Sequence, residues 1–430
     1  MSSHQLKASF ALLRTRVFGT FWFAMLLSNI GFWAQEVAEP WLLLTLGASA
    51  FLIGLDAFVG DAPALLLTLV GGVLADHFDR RRIIAVFQSI EMLCPIALVV
   101  LLLTGSLHAW MVIGLSLVVG ITDALSMPSY QSIVPSIVKR RQLATGIALS
   151  STQYNLSRIL GPASAGLLIA AAGVIGCFVV NALSYIPFIL VALWVLPRRV
   201  RGAKTARLDH ARLRADLRAA VHDTHVRIAL LVIFATSLLC GPLITFCPLL
   251  VRDAFGREAG GFSLVIAAFG IGGLLGAVVL LGLDPVRDRR PLASWCAIGC
   301  GALVTVASMQ PWFGLLPLLV LAAGFALTVS NTATNTLLQT IGPASRRGQT
   351  VSLYMLAIRS GMAIGSLVTG ATVHVFGVRA ALAINGAVAV GIQLELARRW
   401  RRTKLPTTSK EAGPVRVTER RPPAVPESAS

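Results

Sequence analysis

Two long apolar runs, 52–76 and 83–104, are joined by the short charged turn His77-Phe78-Asp79-Arg80-Arg81-Arg82. Each run exceeds the ~18–20 residues a helix needs to cross the hydrocarbon core of a bilayer. The junction is too short for anything but a hairpin loop at one membrane face. The pattern repeats along the chain, with twelve candidate spans at 17–46, 52–76, 83–104, 109–131, 142–171, 173–196, 227–251, 260–284, 291–309, 312–337, 348–374 and 378–400. Composition agrees, since 56% of the residues are hydrophobic and only 13% charged, which excludes an ordinary soluble domain. The expected fold is an all-α membrane protein of twelve transmembrane helices.

The net charge of +18 raises nucleic-acid binding as a rival. The placement of the charge excludes it. Arg14 and Arg16, Arg80–Arg82, Lys139–Arg141, Arg198–Arg227, Arg287–Arg290, Arg346–Arg347 and Arg398–Arg402 fall at every second connection, whereas the alternate connections hold only Arg252, Arg257 and Arg379. The positive-inside rule then makes both termini cytoplasmic, expected in a bacterial inner membrane. Cleavage after Ala48-Ser49-Ala50 is not expected, because the run before it is about twice a signal core and carries Glu36 and Glu39.

An internal repeat fixes the organisation. Pro40 and Pro248, Asp76 and Asp284, Arg81-Arg82 and Arg289-Arg290, and Gln131-x-Ile133-x-Pro135 and Gln339-x-Ile341-x-Pro343 share an offset of 208. Gly166, Gly173 and Asn181 match Gly370, Gly377 and Asn385 at an offset of 204. The chain therefore divides into a cytoplasmic N-terminus (1–16), a six-helix half (17–196), an Arg-rich linker (197–226), a second six-helix half (227–400) and a disordered polar tail (401–430). The halves are expected to be pseudo-symmetric.

Enzyme chemistry has no foothold. The six cysteines all lie in apolar runs without His or carboxylate at metal-like spacing, and His222 with His225 reads as a solvated loop pair, so no metal and no cofactor are expected. No Gly-Lys-Ser/Thr phosphate loop is present, which disfavours ATP-driven pumping.

The junction itself, Gly72-x-Leu74-Ala75-Asp76-x-x-x-Arg80-Arg81, resembles the loop-2/3 signature of the major facilitator superfamily of transporters. The resemblance implies a gating loop of Gly72, Asp76, Arg80, Arg81 and Arg82 that stabilises the outward-facing state, with Asp79 replacing the usual Gly and able to cap the next helix. The second copy, Asp284, Arg289 and Arg290, keeps the acid and the Arg pair but lacks the Gly-x-Leu-Ala lead. In the fifth span, Arg158-Ile-Leu-Gly161-Pro162-x-x-x-Gly166 resembles the Gly-Pro motif of the drug–proton antiporters, where Pro162 removes a backbone hydrogen bond and Gly161 and Gly166 allow close helix approach. With Ser28-Asn29-Ile30-Gly31 and Trp33-x-Gln35-x-x-Ala38-x-Pro40-Trp41, the chain is similar to the bacterial subfamily that includes the enterobactin exporter and macrolide-efflux proteins.

Charges inside the apolar runs point to coupling, because an ion in the hydrocarbon costs several kcal/mol unless it is paired or lines a wet cavity. Glu36, Glu39, Asp61, Glu91, Asp123, Arg158 and Arg359 are the candidate coupling or substrate residues. Asp123 or Glu91 is expected to pair with Arg158, and Glu36, Glu39 or Asp61 to exchange protons. The expected function is export of a small amphipathic molecule, drug- or siderophore-like, by proton antiport and alternating access. The expected partners are cargo, protons and the lipid bilayer, with no nucleic acid, and the expected state is a monomer. Lysophospholipid-type transport, an uptake symporter and a non-transporting scaffold or sensor are the alternatives.

Overall fold

The computed structural model describes residues 9–139, 142–196, 223–281, 288–341 and 347–403. Asp284, the linker expected over 197–226 as far as position 222 (His222 included), and the tail from 404 onward lie outside them.

Among the described residues, ten helices are long and apolar enough to cross a membrane, and two of these are double. Helices α1 to α4 are Arg16–Thr45, Ala50–His77, Arg80–Leu103 and Ala109–Ile137. Leu143–Leu190 folds back at Gly173 (φ 67°) into α5 and α6. Cys177 Sγ lies 3.9 Å from the Ala165 carbonyl, where a straight helix would part residues twelve apart by about 18 Å. The second half has α7 (Thr224–Leu239), α8 (Ala259–Leu281), α9 (Arg290–Met309) and α10 (Leu316–Ile341). Arg347–Arg402 folds back at Gly377 (φ 78°) into α11 and α12, so that Asn385 Nδ2 donates to Thr369 Oγ1 at 2.7 Å. This makes twelve spans in two halves.

The two repeat-matched glycines, Gly173 and Gly377, thus occupy the two points where one long helix folds back on itself among the described residues. Both take a backbone conformation that a side chain disfavours, at a cost of about 1–3 kcal/mol. Gly377→Ala is expected to lower stability by about that amount, read as an earlier thermal unfolding of the purified protein.

Local chemistry sets the helix starts. Asp79 Oδ1 accepts the Arg81 N–H at 3.0 Å and caps α3, and Ser49 Oγ accepts the Leu52 N–H at 3.3 Å and caps α2. The seventh span departs from the continuous helix expected over 227–251. It stops at Leu239 and continues as the short pieces Pro242–Thr245, Cys247–Leu249 and Leu250–Ala254, because Pro242 and Pro248 each lack an amide donor. Trp194 and Trp295 near one face and Trp110 and Trp312 near the other are well exposed, at the levels where amphipathic rings meet headgroups.

The buried residues form three cores whose placement is asymmetric. One core joins both halves and runs from Ala34–Leu44 of α1 through Cys240–Val251 to Val373–Ala389, all toward the face away from the Asp76 loop. The other two lie toward the loop-bearing face, hereafter the basic face. One contains only first-half residues (Leu12, Phe18, Ile84, Ile133, Phe188) and the other only second-half residues (Val226, Ala293, Leu338, Tyr354, Trp400). The halves are therefore welded at one face and packed separately at the other.

Candidate functional site

The weld is built from close backbone approaches. A Cβ at Gly54 of α2 would lie 2.4 Å from the Ser366 carbonyl of α11, and one at Gly370 would lie 3.2 Å from Gly54 Cα. In the same way α5 meets α8, where a Cβ at Gly166 would sit 2.7 Å from Ala267 and one at Gly270 2.5 Å from the Ala163 nitrogen. Gly161 packs on Trp33 of α1, and Pro162 lines the space between the halves. Trp41 stacks on Phe262 at 4.9 Å, and Arg252 Nη1 donates to the Leu44 carbonyl at 3.3 Å, both across the halves.

Beneath this seal is a cavity of about 130 Å³ between the halves. Glu36, Glu39, Asp56 and Asp61 line it from the first half, with Trp33, Ser116 and Arg158, and Asn331 and Met362 line it from the second. A three-residue ion cluster adjoins it. Arg359 of α11 places Nη1 3.3 Å from Asp61 Oδ1 and Nη2 2.7 Å from Asp123 Oδ2, so one second-half cation binds two first-half acids on α2 and α4.

This pairing corrects the sequence expectation. Asp123 pairs with Arg359 and not with Arg158, because α11 packs directly on α2 and so brings Arg359 to the acids. Glu91 is held by Gln88 of its own helix, whose amide donates to it, and Gln88 in turn accepts from Ser28 at 3.2 Å. Arg158 instead lies with its guanidinium carbon 5.5 Å from the centre of the Trp33 ring and has no carboxylate within ion-pairing distance among the described residues.

Glu39 is positioned by a chain of side chains. Ser116 Oγ donates to Glu39 Oε1 at 2.6 Å, Gln35 Nε2 reaches Oε2 at 3.4 Å, and Asn181 Nδ2 donates to Gln35 Oε1 at 2.7 Å. The Gln35–Asn181 link ties α1 to α6.

Among the described residues that line the cavity, two acceptors are left over. Asp56 Oδ1 and Asn331 Oδ1 belong to residues only 6% exposed and have no donor. A buried acceptor without a donor costs about 1–3 kcal/mol. Neither residue was singled out from the sequence. Asp56 carries the same signal as Asp61, an acid inside an apolar run, whereas Asn331 carries none that separates it from ordinary polar packing residues.

At the basic face, Arg80 is 7% exposed and donates to the carbonyls of Ala75 (3.1 Å) and Ser132 (3.2 Å). Arg81 Nη1 donates to the Leu193 carbonyl at 2.8 Å, so the loop arginines tie the ends of α2, α4 and α6 within the first half. Arg82 is exposed. Asp76 lies on the last turn of α2. Close packing at this level falls on Gly71, where a Cβ would lie 2.6 Å from the Leu125 carbonyl, while one on Gly72 would meet open space. In the second copy, Arg289 Nη1 reaches Thr336 Oγ1 at 3.4 Å, and Arg290 grips Asp288 and the Thr403 carbonyl. Partial burial raises the Asp288 carboxyl, and the Arg290 side-chain and backbone N–H groups outweigh that and leave it below its usual range.

Two welded six-helix halves with a charged cavity between them define a transporter. The chain belongs to the transmembrane secretion effector family of the major facilitator superfamily, whose family model matches residues 7–420. Among its relatives, the multidrug efflux pump Tap of Mycolicibacterium fortuitum is 28% identical, over 77% of this chain and 83% of that protein. The enterobactin exporter EntS of Shigella boydii is 24% identical, over 94% of this chain and 98% of that protein. The fold matches that of the nucleoside transporter NupG, with a TM-score of 0.70 at 12% identity, over 90% of this chain and all of the other.

Proposed function

We propose that this chain exports a small cationic amphipathic molecule from the cytoplasm in exchange for protons, by alternating access. The observation that carries this reading is the imbalance of charge around the cavity. Glu36, Glu39, Asp56 and Asp61 line it and Asp123 and Glu91 stand behind them, against Arg158 and Arg359 alone among the described residues. In a bundle of low dielectric, such an excess is compensated by bound protons or by a cationic guest. The two alternatives are mutually exclusive at one carboxylate, which is the requirement for exchange.

The Lys/Arg bias supports a cytoplasmic basic face. The weld at the opposite face then closes the path on that side, which supports reading the arrangement as inward-facing. A cavity of about 130 Å³ is well short of the roughly 300–1,000 Å³ of a drug-sized site. Cargo entry must therefore spread the separately packed basic-face cores. Proton arrival at Asp61 or Asp123 loosens the hold of Arg359, and the Asp76 loop latches the halves at the basic face once they rock to the outward-facing state. The names of the efflux relatives support the direction of transport.

Arg158, stacked on Trp33 without a carboxylate partner, favours a second reading, an anionic cargo of siderophore type. Inverted membrane vesicles with an imposed acid interior separate the two. Accumulation of a cationic dye that collapses with a protonophore, and that is lost in Asp56→Asn, is expected. Accumulation of an anionic catechol chelator but not of the dye would overturn the cationic assignment, and accumulation of neither would overturn export.

A further inference from the structure

A second cavity, of about 300 Å³, lies at the basic face on the outside of the second half, between α9 and α12, and shares no lining residue with the cavity between the halves. Arg290, Arg398 and Arg401 converge on it against the single carboxylate of Asp288, which Arg290 already holds through Nε and Nη2 at 3.1 and 3.0 Å. Arg398 has no carboxylate within ion-pairing distance among the described residues, and the Arg401 guanidinium carbon lies 5.5 Å from the centre of the Trp295 ring. Trp400 also lines the cavity. It is only 1% exposed, yet its indole Nε1–H has no acceptor. A buried donor left unmade costs about 1–3 kcal/mol, and the acceptor it lacks is one that an anionic guest would bring.

We infer that this cavity binds the phosphate headgroup of an anionic phospholipid. Phosphate chemistry suits three guanidiniums and an N–H donor. The lipid is preferred to a free phosphate because of what adjoins the cavity. Ile298 and Leu394 form apolar walls, and Trp295, Gly299, Ala302 and Val306, at i, i+4, i+7 and i+11, form one face of α9 rising into the membrane. Trp295 is 57% and Val306 48% exposed, and a Cβ at Gly299 would meet nothing within 4 Å. That face offers a track for an acyl chain above a headgroup clasp, at the depth where basic and aromatic side chains meet lipid phosphates.

The test is native mass spectrometry of the full-length protein released from nanodiscs of equal phosphatidylglycerol and phosphatidylcholine. The wild type is expected to retain phosphatidylglycerol preferentially. The exposed double variant Arg398→Gln/Arg401→Gln and, separately, Trp400→Phe are each expected to cut that retention about fivefold, the equivalent of one hydrogen bond. Dye accumulation in vesicles by the double variant checks that it is folded. Retention by both variants equal to that of the wild type would overturn the proposal. So would release of the lipid by millimolar glycerol phosphate, which would assign the site to a soluble phosphate.

Discussion

Arg359→Gln is expected to reduce transport about a hundredfold or more. The Arg359 side chain is 13% exposed and is the shared counter-ion of Asp61 and Asp123. Removing one member of such a buried cluster costs about 3–5 kcal/mol, because the remaining charges are left uncompensated. About 1.4 kcal/mol corresponds to each factor of ten in rate, so the loss exceeds two orders of magnitude if the cluster acts in the transport cycle. Arg359→Lys is expected to retain part of the activity, since one ammonium cannot bridge both carboxylates as a planar guanidinium does. Adding Asp123→Asn to Arg359→Gln removes one stranded charge and should recover thermal stability without recovering transport. Wild-type dye efflux by Arg359→Gln would reduce the cluster to a packing contact.

Gly54→Leu is expected to act through the opposite logic, by damaging one state of the cycle and sparing the other. The Gly54 Cα lies where the α11 backbone comes closest, with the Ser366 carbonyl 2.4 Å from the position of a Cβ. A leucine there overpacks the contact by about 1–3 kcal/mol, and only while α2 and α11 meet at the face away from the basic loops. The population should move toward the outward-facing arrangement by about 5–150-fold. Cys94, which lines the cavity, reports this if it is kept as the only thiol. An impermeant maleimide added from the outside should label it faster in Gly54→Leu, and transport should fall. Unchanged labelling would show that the contact does not gate the cavity.

Spans and halves were legible in the sequence because they rest on the strongest signals available, apolar length and a repeat at fixed offset. The repeat even located Gly173 and Gly377, since a turn tight enough to reverse a helix demands a residue without a side chain. The ion pairing was not legible. Asp61, Asp123, Arg158 and Arg359 are each recognisable as charges in apolar runs, but the choice of partner depends on which helices meet across the halves. Arg359 lies 236 residues from Asp123 in sequence and reaches it only because α11 lies on α2. The break in the seventh span has its sequence signal in Pro242 and Pro248, neither of which carries an amide donor. The packing at the loop signature was not legible either, since Gly71 meets α4 closely while a Cβ on its neighbour Gly72 would meet open space, a difference set by how α2 is rotated against α4.

The central claim, that the two halves rock about the charged cavity, is tested most directly by pulsed electron–electron resonance on two label pairs. One pair, Thr45 and Glu258, spans the welded face, and the other, Phe78 and Arg402, spans the basic face, all at exposed positions. Without cargo at neutral pH, the first distance should be short and the second long. Lowering the pH or adding a transported cation should lengthen the first and shorten the second together. Distances that stay fixed under both treatments, or that change in the same sense, would contradict the account.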